Sequence, residues 1–140
     1  MKVIEINEKD IELINEAKKI ISNLYDKDKH HIGCAIRTKT GEIITAVNME
    51  AYVRKVSICA EAVAIGKAVS DGEKGFETIV AVRQSAPGEF GDYIKVVTPC
   101  GMCRELISDY CPGADVIVPY ENNIVKCNIK ELLPLKYTRE

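Results

Sequence analysis

Ile58-Cys59-Ala60-Glu61 and, about forty residues later, Pro99-Cys100-Gly101-Met102-Cys103-Arg104 are the stretches that decide the fold. Each opens a segment with the pattern of a helix. Residues 58–70 are rich in alanine and end near Gly72, and residues 100–110 stop before Pro112-Gly113. Between them, residues 78–82 form a continuous apolar run, as in a strand covered on both faces. Working outward, residues 32–37 and 42–47 read as strands joined by turn chemistry at 38–41, hence a hairpin. Residues 7–25 read as an amphipathic helix with Ile11, Ile14, Ile21 and Leu24 on one stripe, Ala17 filling it, and Asn7 as N-cap ahead of Asp10. Residues 85–93 hold Pro87, Gly88 and Gly91 and read as a loop. Residues 114–118 and 124–127 read as strands around an Asn122-Asn123 turn, and 129–133 as a helical turn stopped by Pro134. The order α-β-β-α-β-α-β-β-α predicts an α/β fold, a three-layer α/β/α sandwich around a mixed sheet of about five strands, as one domain over 1–140.

Composition narrows the function. Apolar residues make up 46% and charged residues 29% of the 140, an ordinary globular balance. A formal charge of −2 offers no basic face for nucleic acid. No apolar run approaches the ~18 residues of a membrane span. Met1 to Asp10 carries no apolar signal-peptide core, which points to the cytosol. Six cysteines could make a disulfide framework, but that suits a secreted chain; in a reducing compartment, metal ligation or catalysis explains some of them better.

A helix N-terminus presents unpaired N–H groups and partial positive charge, which lower the pKa of a nearby thiol. Residues two apart on a helix diverge, so a metal served from the Cys59 end must lie beyond that end. Cys100 and Cys103 can reach one ion from the tip of their own helix. Three thiolates on zinc would leave a fourth position for water, the catalytic pattern. Taken singly, Cys-x-x-Cys could be a redox pair or half a zinc ribbon, Cys59 a core residue, and Glu61 a first-turn carboxylate favoured by the helix dipole. Taken together, a ligand-x-Glu segment followed by Pro-Cys-x-x-Cys has the pattern of zinc nucleobase deaminases.

On these segments the chain resembles the small cytidine deaminase family and its relative blasticidin S deaminase, over most of its length. Asn48-Met49-Glu50 looks like the family's Asn-x-Glu segment, which binds ribose hydroxyls. The resemblance implies zinc on Cys59, Cys100 and Cys103, Glu61 as the catalytic proton carrier, and Asn48, Glu50 and Ala60 as substrate-binding positions. Glu131-Leu132-Leu133-Pro134 with Tyr137 resembles the C-terminal segment whose aromatic residue reaches a neighbouring subunit's site, so the resemblance also implies a homo-oligomer, commonly a tetramer. The expected reaction is hydrolytic deamination of a free cytidine-like nucleoside, with no nucleic-acid or membrane partner. The alternatives are deamination of a blasticidin S-like nucleoside or another aminated heterocycle, and a non-catalytic zinc domain.

Several positions depart from the family pattern. Ala62 stands where many members have Arg, leaving Arg104 and the helix ends as compensating positive groups. His30 stands where the family often has Phe; it could stack on a pyrimidine, or His30 and His31 could be solvated loop residues. Arg54 and Lys55 are a solvated turn or a site for a substrate phosphate or carboxylate. Loop 85–93 is longer than the family pattern requires. Cys34 and Cys127 read as buried thiols in strands, and Cys111 has no assigned role.

Overall fold

The computed structural model describes residues 1–86, 88 and 93–139. Asn7 starts the first helix as expected. Its side chain accepts from the Asp10 N–H at 3.0 Å while Asp10 accepts from the Asn7 N–H at 3.0 Å, a capping box that satisfies two otherwise unpaired donors. In chain order the elements are β1 (Ile4–Glu5), α1 (Glu8–Leu24), β2 (Ile32–Thr38), β3 (Ile43–Val47), α2 (Ala60–Ser70), β4 (Phe76–Gln84), β5 (Ile94–Val97), α3 (Gly101–Tyr110), β6 (Asp115–Tyr120) and β7 (Asn123–Asn128). Single 3-10 turns occupy Arg54–Val56 and Ile129–Leu132.

The strands form one sheet in the order β1-β7-β6-β4-β2-β3, with β5 also paired to β4. β4 and β6 run parallel, and the other pairs are antiparallel. β4 is long enough to serve two partners on one side. Its first half pairs β6 at Thr78–Val80 and its second half pairs β5 from Ala81 onward. Alternation along β4 fills both faces. Val80 and Val82 meet Leu13, Ile14, Ala17 and Ile21 of α1, while Ile79 faces Ala64, Ile65 and Ala68 of α2 and Ile107 of α3. The three layers are therefore α1, the sheet, and the α2/α3 pair.

Three expectations are corrected. The sheet has seven strands rather than about five, because β1 and β5 are too short to show a pattern. The buried stripe of α1 is Asp10, Leu13, Ile14, Ala17 and Ile21, whereas Ile11 and Leu24 are about half exposed. Both sulfur-bearing helices begin later than the pattern suggests, leaving Cys59 and Cys100 as N-caps just outside them. Of the turn residues expected at 85–93, Pro87 and Gly91 lie outside the described residues.

The buried Asp10 is tied down by charge. Arg37 Nη2 lies 2.9 Å from Asp10 Oδ1, Lys126 Nζ 2.8 Å from Oδ2, and Arg37 Nε 2.7 Å from Glu77. The cluster joins α1 to β2, β4 and β7. Among the described residues no helix is long and apolar enough to cross a membrane.

Candidate active site

α2 and α3 lie side by side on one face of the sheet, and their N-termini open toward the same point. The caps do the rest. Extended backbone at Cys59 (φ −68°, ψ 150°) and Cys100 (φ −68°, ψ 168°) leaves each sulfur ahead of its helix, and neither side chain caps its own helix. Cys103 reaches up from the first turn of α3. The three sulfurs lie within 4.8 Å of one another, with Cys59 and Cys100 3.9 Å apart.

Their acidities differ for physical reasons. Burial opposes ionisation of Cys100, but the backbone N–H groups of Cys103 and Met102 and the neighbouring thiols prevail and lower its pKa. Burial pushes Cys59 up, helped by the charges of Cys100 and Glu61. Cys103 is driven far above the ordinary thiol range by burial and by Glu61. One sulfur is thus disposed to ionise, and the others are discouraged by the charge already there. A divalent cation removes that conflict, and three soft sulfurs at this spacing suit zinc. Among the described residues, the metal-capable cluster comprises these three sulfurs, with no fourth protein ligand.

Glu61, in the first turn of α2, is 5% exposed. Burial raises its pKa, against the lowering effect of its own backbone N–H and the Cys103 thiol. A cavity of about 250 Å³ has Glu61, Cys59, Cys100, Ala60, Asn48 and Glu50 on its wall. All the residues expected at the site except Cys103 therefore face one space, and Cys103 lies buried with its sulfur in the cluster.

Asn48 is held firmly. Its Oδ1 accepts from the N–H groups of His31 at 2.8 Å and Ile32 at 2.9 Å, and its Nδ2 donates to Glu50 Oε1 at 3.4 Å. The amide therefore presents donors to the cavity, and the Glu50 carboxylate presents acceptors. Ser57 Oγ donates to Glu50 Oε2 at 3.4 Å and accepts from the Ala51 N–H at 2.9 Å.

Some positions behave differently from expectation. His30 is not on the cavity wall and is not simply solvated; its Nδ1 donates to the Asn48 carbonyl at 2.7 Å. His31, beside it, does line the cavity. Arg104 donates to the carbonyls of Pro99 at 3.0 Å and Leu132 at 3.1 Å, tying the start of α3 to the C-terminal segment. Arg54 lines an adjoining, wider cavity of about 610 Å³ that shares His31 and Glu50 with the first. Ile58, from the first motif, also lines the first cavity, as do Ser57 and Thr98, which no residue pattern marked beforehand.

Residues 7–118 match the family described as the cytidine and deoxycytidylate deaminase zinc-binding region. The chain is 56% identical over 139 residues to a blasticidin-S deaminase of Bacillus cereus, covering 99% of each. It is 31% identical over 131 residues to a cytidine deaminase of Sporosarcina psychrophila, covering 91% of this chain and 90% of that one. Its fold superposes on the cytidine deaminase of Bacillus anthracis with a TM-score of 0.76 at 22% identity, over 94% of this chain and 90% of the other. With sulfurs spaced for the zinc that this family binds, the chain belongs to the cytidine and deoxycytidylate deaminase family and is a zinc-dependent deaminase.

Proposed function

We propose that this protein hydrolytically deaminates a cytidine-like nucleoside, with Cys59, Cys100 and Cys103 as the zinc ligands and Glu61 as the catalytic proton carrier. The observation that carries it is a buried carboxylate and two of three clustered sulfurs on the wall of one cavity. Bound zinc supplies the acidity that makes water a nucleophile near neutral pH. Glu61 takes the proton from that water and delivers it to the ring nitrogen beside the attacked carbon. Its burial keeps its proton affinity above that of a solvated carboxylate, which suits a group that must both accept and donate. As the hydroxide oxygen bonds to that carbon, Glu61 takes the second proton from the new hydroxyl and passes it to the exocyclic amine, so that the carbon–nitrogen bond breaks, ammonia leaves and the carbonyl forms.

Asn48 Nδ2 and the Glu50 carboxylate are a donor and an acceptor for sugar hydroxyls, and Ala60, on the same wall, is a further substrate-binding position. That pair favours a ribonucleoside. The 56% identity to a blasticidin-S deaminase across both whole chains favours a blasticidin S-like nucleoside as a second substrate reading. A structural zinc domain fits less well, because a closed site needs a fourth protein ligand and has no use for a buried carboxylate. Exposed Met49, Tyr52, Val53 and Val56 near the cavity, with exposed Tyr137, support a homo-oligomer, as in a tetramer.

The test is an ultraviolet and ammonia-release screen of zinc-loaded protein against cytidine, deoxycytidine and blasticidin S. At least one is expected to turn over. Glu61→Gln should then lower kcat by roughly 100-fold or more while zinc remains stoichiometric. A near-native rate in that variant, or a folded native chain that binds no zinc, overturns the proposal.

A further inference from the structure

His30 sits at the end of a tightly closed turn. Asp26 and His30 exchange backbone hydrogen bonds at 3.0 Å each, and Asp26 Oδ1 accepts from the N–H groups of Asp28 at 2.9 Å and Lys29 at 3.1 Å. This turn is fastened to residues 48–50 along its length. The Asn48 N–H donates to the Ile32 carbonyl at 3.1 Å and the Glu50 N–H to the Lys29 carbonyl at 3.1 Å. Met49, between them, exchanges bonds of 2.9 Å with Ile58, one residue before Cys59. The strap carrying Asn48 and Glu50 thus lies between the 26–32 turn and the segment leading into the sulfur cluster.

Within this arrangement every polar group of Asn48, a residue only 5% exposed, has a partner. Its backbone carbonyl relies on a side chain, His30 Nδ1 at 2.7 Å. A carbonyl can only accept, so Nδ1 carries the proton, and the bond is available to the neutral Nδ1–H tautomer and to the cation alike. His30 is absent from the cavity wall, whereas His31 beside it lines the cavity.

Resting on the reading of Glu50 as a sugar-binding carboxylate, we infer that His30 is a positioning residue that sets the strap, and through it the Glu50 carboxylate, for substrate binding. It replaces the stacking role that its place in the sequence suggested. Losing its donor leaves a buried carbonyl without a partner and lets residues 48–50 shift, which weakens the grip on the sugar while leaving Glu61 and the sulfurs in place.

The experiment is steady-state kinetics on the zinc-loaded full chain, with cytidine and blasticidin S as probes. His30→Ala should raise KM by about fivefold or more with kcat within about twofold and zinc content unchanged. His30→Asn, whose amide N–H can reach the same carbonyl, should restore KM; His30→Phe, which fills the space without a donor, should not. In a double-mutant cycle, His30→Ala added to Glu50→Gln should raise KM no further. Additive effects, an unchanged KM in His30→Ala, or rescue by Phe equal to that by Asn overturns the inference. If Glu50→Gln raises KM and His30→Ala does not, only this inference falls; if Glu50→Gln itself leaves KM untouched, the sugar-binding reading falls and this falls with it. Should His30→Ala not fold, the comparison of Asn with Phe decides.

Discussion

Gly33 is the residue on which α1 and β2 depend for their closeness. A Cβ built there would lie 2.4 Å from the Ala17 carbonyl and 3.0 Å from Ile21 Cβ. The backbone of a buried helix cannot yield as a long side chain can. Gly33→Ala should therefore destabilise the fold by about 1–3 kcal/mol, read as a lower urea midpoint. An unchanged midpoint would show that α1 can move away freely. The same scale shows what the sequence could disclose about the site. That Cys59, Glu61, Cys100 and Cys103 gather at one place is legible in the sequence because the spacing of their two segments is distinctive. His31 and Ser57 are not, since each reaches the cavity by position in the backbone rather than by any motif. The exchange of roles between His30 and His31 has the same cause. They are adjacent at the mouth of a strand, successive side chains point opposite ways, and only the register says which one faces the cavity.

For the elements, α1 offers the cleanest test. Its capping box is complete, so Asn7→Ala should cost about 1 kcal/mol of stability in a denaturant titration, without changing KM, because the cap lies on the far face from the cavity. A neutral substitution would mean that packing alone fixes the start of the helix. The Asn7 and Asp10 spacing announces this cap in the sequence, and Ile14, Ala17 and Ile21 are buried as the periodicity predicts, but Asp10 and Leu13 take the places expected of Ile11 and Leu24. An acidic residue at position 10 argues for solvent, and only the approach of Arg37 and Lys126 from other elements brings it inside. β1 has two residues and β5 four, below the length at which alternation becomes a signal. The helix starts at Ala60 and Gly101 matter chemically, since a cysteine one residue further into either helix would direct its sulfur differently.

Across the whole molecule, the Asp10 cluster makes stability depend on acid. Burial alone would raise the Asp10 pKa, but hydrogen bonds from Lys126, the Asn7 N–H and Arg37 outweigh it and hold the carboxyl below its ordinary value. A group depressed in the folded state contributes fully above its unfolded pKa of about 3.9, and that contribution is lost as pH falls through the lower folded value. The urea midpoint should thus be flat near neutrality on account of this group and decline below about pH 4. Asp10→Asn should weaken the protein at pH 7, by about 3 kcal/mol, because Arg37 and Lys126 lose their shared partner, and should flatten the acid decline. An equally steep acid limb in the variant would assign the decline to other carboxylates.

The borders of the sheet complete its design. β3 forms one border, and Lys67 Nζ donates to the Thr45 carbonyl there; at the opposite border β1 is a stub of two residues. A foreign strand arriving edge-on at β3 meets a lysine ammonium already seated on one of its carbonyls, and at β1 it finds only two residues to pair with, so each border is a poor template for fibrous growth.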